Sequence, residues 1–399
     1  MMYLFFVISV LCAIFLKTGI ASTLGIEKVT TIAFAPMICY SVILLVTKKI
    51  KYNILQYNKL AVYLLILAVI LILFKLSLGQ DYYLKRVLEL LIVPMLMTIC
   101  FENLSRKEFK TLYLIVLTFF IIESGLAIVE WSLERTFFST FFEDDTEFWL
   151  ARGFFRSTSL LGRHPLANAQ VVAVYMAFIA FANFKNKTYQ IMLFFLGYVS
   201  LFCFNARGAI LVVTVILVPF FVWEINKHAN KRMKWLINIG VFIMFCGLVY
   251  LVTQTPLGGR LMKSDLLDSS ANTRLDVFQF YKFYQSPDDF IWGSDVLYEY
   301  MTDKLGAAGV ENGLITFLLD YGIIFTIPML LLLFKFQYNK LSVYPKTEKW
   351  ILLAVFFIIG SMNPNLASPA QWTLWVFAYY TFRPKPLITQ TKNVKITNN

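Results

Sequence analysis

Apolar residues in this chain come in long blocks rather than in the alternating or one-faced patterns of a soluble fold. The blocks are about 17–22 residues long, the length of helix needed to cross a hydrocarbon layer of about 30 Å at 1.5 Å per residue. Residues 60–78, 112–128 and 235–252 carry few or no charges. The pattern predicts about twelve spans, at 2–20, 29–47, 59–78, 83–101, 110–130, 167–184, 189–205, 207–223, 234–253, 311–335, 348–363 and 369–382. The expected architecture is an all-α, polytopic transmembrane bundle with one integral membrane domain over 1–382 and a polar cytoplasmic tail over 383–399. Block 1–16 has neither the basic leading segment nor the small-residue cleavage site of a secretory signal, so it reads as a retained helix.

Composition agrees with this pattern. Of 399 residues, 59% are hydrophobic and 15% charged, against roughly half and a quarter in soluble domains. All five cysteines lie within apolar blocks, which leaves no disulfide framework and no CxxC metal site. The net charge of +12 reads as basic loops facing the cytoplasm rather than as a nucleic-acid surface. With both termini inside, every inner connection is short and basic: Lys48, Lys49, Lys51 and Lys59; Arg106, Lys107 and Lys110; Lys185 and Lys187; Lys227, Lys231, Arg232 and Lys234; Lys335, Lys340, Lys346 and Lys349. Two outer connections are long, 131–166 and 254–310.

Arginine and lysine are distributed differently across the two sides. Eight of the eleven arginines fall on the outer side (Arg86, Arg135, Arg152, Arg156, Arg163, Arg207, Arg260 and Arg274), whereas only seven of the 25 lysines do. Topology requires positive charge inside but does not choose between the two cations. An outer face rich in Arg points to bidentate recognition of phosphate or carboxylate, which a planar guanidinium does better than an ammonium. Pairing with the acidic cluster Glu143, Asp144, Asp145 and Glu147 is the alternative.

Four outer elements carry the candidate chemistry. Loop 131–166 gathers Arg152, Arg156, Arg163 and His164 before Pro165, where a helix start favours anions and the histidine could accept a proton; a helix cap with interfacial arginines is the plainer reading. Asn205-Ala206-Arg207-Gly208 breaks two apolar runs with almost no spacer, which puts Arg207 at a tight outer turn. In the second loop, residues 269–284 suit a short amphipathic helix with Arg274 in its first turn. Tyr281, Tyr284, Trp292, Tyr298 and Tyr300 could stack on sugar rings or form an interfacial belt. Glu311-Asn312 opens the tenth span, with Asp320 about 13 Å deeper, and Glu123 lies mid-span; both carboxylates are either functional or hydrogen-bonded between helices.

In order and placement these elements resemble the bacterial O-antigen polymerase and O-antigen ligase family. The resemblance covers most of the chain from about Arg152 to Gly322. It rests on His164-Pro165 at a helix start, the Asn205-Ala206-Arg207-Gly208-Ala209 turn, Arg274 with the later Pro287 and Gly293, and Glu311-Asn312 followed by Gly322. Ligases typically carry His where this chain has Glu311, which favours the polymerase. The resemblance implies a GT-C-like helical fold and a metal-independent, cofactor-free glycosyltransferase of the cytoplasmic membrane. Donor and acceptor would be undecaprenyl-diphosphate-linked glycans, with membrane lipid and a chain-length regulator protein as further partners. Arg207 and Arg274, helped by Arg152, Arg156 and Arg163, would clamp the diphosphate, and Glu311 or His164 would orient or deprotonate the acceptor hydroxyl. The alternatives are a ligase that passes the finished glycan to a lipid or protein, and a flippase.

Overall fold

The structure, a computed structural model, describes residues 2–25, 32–47, 58–80, 82–102, 104–138, 155–162, 164–227, 281–282, 284, 286–294, 297, 312–361, 366 and 369–384, with a few positions between 234 and 249. All regular secondary structure among these residues is helical. The helices are α1 (Met2–Phe15), α2 (Ala35–Val46), α3 (Lys59–Ser77) and α4, which runs through Tyr82–Val87, Leu88–Ile92 and Val93–Phe101. They continue with α5 (Arg106–Leu133), α6 (Pro165–Phe181), α7 (Lys187–Cys203), α8 (Arg207–Lys227) and the short α9 (Pro287–Trp292). The last three are α10 (Gly313–Lys340), α11 (Lys346–Ser361) and α12 (Pro369–Phe382). A helix occupies every expected span that falls among the described residues, and 234–253 lies largely outside them. Among the described residues four helical stretches are long and apolar enough to cross a membrane: α3, α5, α8 and Gly313–Val343.

Local sequence accounts for where the long helices begin and bend. At the start of α5, the Ser105 hydroxyl accepts from Glu108 N–H while the Glu108 carboxyl accepts from Ser105 N–H, a reciprocal cap. With 28 residues, α5 extends about 42 Å and projects beyond a hydrocarbon layer. Helix α10 is two helical pieces joined at Gly322 (φ 64°, ψ 175°), with Pro328 further along. Near that break the Thr326 hydroxyl donates to the Phe317 carbonyl at 2.8 Å.

Helix α6 is the axis of the bundle. Only Leu166 and Ala167 of its 17 residues are not buried, and it packs against α5, α7, α8, α11 and α12. Where neighbours are apolar on every side, helices associate through close van der Waals contact, which small residues permit. Ala169, Ala173, Ala177 and Ala180 supply this on α6. Gly197 supplies it on α7, where an added Cβ would press on Met176 and Phe120.

The polar residues gather at the two ends of the bundle. At one end Lys340 pairs with Glu102 at 2.7 Å and donates to Asn58, while Arg383 pairs with Glu102 at 3.2 Å and Tyr380 donates to it at 2.7 Å. All of these lie on connections that the charge pattern assigns to the inner side. At the other end the connections assigned outside meet one another. The amide of Gly19 donates to the Leu160 carbonyl at 2.7 Å, Ser157 N–H to the Cys203 carbonyl at 3.1 Å, and Ser294 N–H to the Leu319 carbonyl at 3.0 Å.

Candidate functional site

The non-helical segment Phe155–Gly162 is buried along its whole length, at the end of the bundle that the charge pattern assigns outside. Backbone amides in such a place need acceptors, because an unpaired buried donor costs about 1–3 kcal/mol. Two glutamates of α5, seven residues apart and so on one helical face, supply them. Glu130 Oε2 accepts from the Ser157 hydroxyl at 2.6 Å, Ser159 N–H at 2.8 Å and Thr158 N–H at 3.1 Å, while Oε1 accepts from Phe137 N–H at 2.9 Å. One turn pair deeper, Glu123 Oε2 accepts from Leu161 N–H at 3.0 Å, and the Ser159 hydroxyl donates to the Glu123 carbonyl. The Asn168 side-chain amide, in the first turn of α6, donates to the Thr158 carbonyl. Glu123 therefore helps to anchor Phe155–Gly162, its partners lying in that segment rather than on a neighbouring helix.

This staple brings two of the sequence motifs together. Arg156, 3% exposed, donates through Nε to the Phe204 carbonyl at 3.1 Å. Phe204 belongs to the turn between α7 and α8, where Asn205 takes a left-handed conformation (φ 51°) that lets α8 begin at Arg207 with no spacer. Arg207 is half-buried at the first position of that helix. On the far side of the segment His164 caps α6: its Nδ1 accepts from Leu166 N–H at 3.3 Å, ahead of Pro165. The tight outer turn and the helix start at His164-Pro165 are thus both present. Arg156, expected in an anion clamp, reaches this turn through its Nε.

A second pair of motifs meets on α10. Gly293 (φ 72°) and Gly322 (φ 64°) lie backbone against backbone: a Cβ on Gly293 would overlap Gly322 N, and one on Gly322 would overlap the Ile291 carbonyl oxygen. Lys75 of α3 seals the contact by donating to the carbonyls of Trp292 at 2.9 Å and Gly293 at 3.2 Å. Just before the break, the buried Asp320 carboxylate forms an ion pair with Arg86 at 2.7 Å. Asn312 is the cap of α10, its side-chain oxygen accepting from Leu314 N–H at 3.0 Å and Ile315 N–H at 3.2 Å. Trp292 packs on Phe74 with ring centroids 4.9 Å apart, so this aromatic is spent on holding α9 to α3.

Arg152, Arg163, Arg274 and Glu311, together with the acidic cluster 143–147 and most of the expected amphipathic helix 269–284, lie outside the described residues. Sequence reading missed Glu130, Lys75 and the Arg86–Asp320 pair. The seven-residue spacing of Glu123 and Glu130 was the available signal for the first, and nothing in the sequence matched Arg86 to Asp320. What emerges is a helical protein with one polar, loop-stapled end. It matches no protein-family model, no curated protein and no solved structure.

Proposed function

We propose that this protein is a membrane glycosyltransferase that polymerises undecaprenyl-diphosphate-linked repeat units into O-antigen or capsular polysaccharide on the outer side of the cytoplasmic membrane. The observation that carries the reading is the docking of Phe155–Gly162 against the Phe204–Arg207 turn through Arg156 and Ser157. That packing ties Arg156 and Ser157 to the turn that leads into Arg207, so segments far apart in the chain share one end of the bundle. In this reading the apolar helices form about twelve crossings, and the long arginine-bearing loops face outward.

The chemistry is displacement at the anomeric carbon of the lipid-linked donor. The bond from that carbon to the diphosphate oxygen breaks, a bond to an acceptor hydroxyl forms, and the hydroxyl proton passes to a base. The leaving group is the lipid diphosphate, and guanidinium groups of Arg207 and Arg274, helped by Arg152, Arg156 and Arg163, stabilise the charge that develops on it. Glu311 or His164, the latter held at the start of α6 by the hydrogen bond its Nδ1 accepts from Leu166 N–H, orients or deprotonates the acceptor hydroxyl. A chain-length regulator protein would act on the growing polymer from outside this site.

The test is glycan display in a deletion strain complemented with variants. Loss of the polymerase leaves acceptors carrying single repeats, whereas loss of a ligase leaves them unmodified and loss of a flippase stops export. Arg207→Lys and Arg274→Lys keep the charge but lose the fork, and each should lower polymerisation about 100-fold. Full-length polymer from both variants at normal expression would overturn the clamp.

A further inference from the structure

Where α8, α10 and α11 border one another, the surface carries two apolar grooves that share one wall, Trp350. The first, of about 390 Å³, lies between Ile216 and Phe220 of α8 and Ile351 and Ala354 of α11. The second, of about 620 Å³, runs along Leu331 and Leu332 of α10. Trp350 stands between them as a ridge, 46% exposed, with its ring 5.5 Å from that of Tyr338 and 6.3 Å from that of Phe334.

One lysine lines each groove, Lys346 the first and Lys335 the second. Lys346 opens α11, and Lys335 lies five residues before the end of α10, so both sit within about 8 Å of the Glu102–Lys340 end of the bundle. Among the described residues neither lysine has an ion-pair partner. Glu224 is taken by Lys227 at 2.7 Å, Lys349 lies over the Tyr338 ring at 3.0 Å, and Glu348 is the other acid nearby. Among the described residues of this patch the lysines Lys227, Lys335, Lys346 and Lys349 outnumber the acids Glu224 and Glu348, which leaves it positive.

We propose that one phospholipid with an anionic headgroup binds astride Trp350, with an acyl chain in each groove and its phosphate held between Lys335 and Lys346. Apolar grooves beside a cationic patch match an amphiphile with two tails and one negative head, and Trp is suited to the level where tail meets head. A second copy of this chain would also cover the grooves. Across a two-fold interface, however, it would set the unpaired lysines against their own images, and like charges oppose that pairing. The proposal needs only that these helices lie in a bilayer and is independent of glycosyl transfer.

The experiment uses the full chain in neutral-detergent mixed micelles containing phosphatidylglycerol or phosphatidylcholine with identical brominated acyl chains. The readout is quenching of the fluorescence component that Trp350→Phe removes. Each lysine near a membrane anion contributes about 5-fold, so that component should be half-quenched at about 25-fold lower mole fraction of phosphatidylglycerol than of phosphatidylcholine. The preference should disappear in Lys335→Gln/Lys346→Gln and shrink as salt is raised on the unmodified protein, which decides the matter even if the double variant folds poorly. Equal quenching by the two lipids, or a preference that survives both substitutions or high salt, overturns the proposal. So does a disulfide between two copies of a Trp350→Cys variant in native membranes, which would put a second protein chain on the ridge.

Discussion

Glu130 holds three donors on one carboxyl oxygen and one on the other, so its substitutions separate the number of acceptors from the space the side chain fills. In Glu130→Gln the amide oxygen can keep the crowded Oε2 position while the NH2 turns toward Phe137 N–H. One donor then loses its partner, and the expected loss is about 1–3 kcal/mol. Glu130→Ala strands the Ser157 hydroxyl and the Phe137 and Thr158 amides, leaves Ser159 N–H only the Ser157 hydroxyl, and should lose well over 3 kcal/mol, measured by thermal unfolding of detergent-purified protein. An alanine variant as stable as the parent would show that Phe155–Gly162 is held by other contacts. At this scale the sequence was informative about which residues matter and less so about what they do. Glu123 stood out because a carboxylate inside an apolar block needs a reason, but its donors, Leu161 and Ser159, come from a loop whose path no local pattern reveals. Arg156 stood out among the outer arginines, and the Phe204 carbonyl that it grips carries no side-chain signature at all.

Helix positions were legible because each block must supply its own backbone hydrogen bonds in an apolar setting, so length and hydropathy alone fix it. Which helices face each other was not legible, since blocks that are apolar all round show no preferred face. The break in α10 shows the difference. Gly322 could be noticed in the sequence, but its cause is the partner Gly293, which approaches so closely that neither position accommodates a Cβ. Gly322→Ala adds strain at a left-handed backbone to that overlap, so α9 should lift off α10, and Gly293→Ala should do the same from the other side. Labelling of a cysteine placed at Ser294 would rise in both variants; unchanged labelling would mean the two backbones part without cost. The ion pair across the same region adds a second, separable tie. Asp320 is nearly inaccessible and Arg86 is 21% exposed at the side chain, so a double-mutant cycle with Asp320→Asn and Arg86→Gln should return a coupling of about 1–3 kcal/mol. A coupling near zero would make the contact incidental.

Across the whole molecule the two ends are built differently. The end that the charge pattern assigns outside is stapled by carboxyl groups that accept from backbone amides, an arrangement that fixes loops. The inner end is tied by side-chain charges that join four separate chain segments, at Asn58, Glu102, Lys340 and Arg383. Burial pushes the Glu102 carboxyl up, but Lys340 and Arg383, with hydrogen bonds from Lys340 and Tyr380, outweigh it and hold the group down to about 2 from an ordinary 4.5. A group whose folded value lies below its unfolded one stabilises the fold above the unfolded value and loses that contribution as pH falls toward the folded one. The tie is therefore at full strength above about pH 4.5 and fades between there and about pH 2. Glu102→Gln lacks the titrating group, so the variant should melt lower than the parent near neutral pH, with the gap closing as the solution is acidified through that window. Melting curves of the two proteins in the same detergent from pH 7 to pH 2.5 check it. A gap that stays constant with pH would mean that Lys340 and Arg383 hold Glu102 through shape rather than charge, and that the inner end owes its cohesion to the packed rings of Tyr379 and Tyr380, 4.9 Å apart beside Arg383, instead of to the ion pairs.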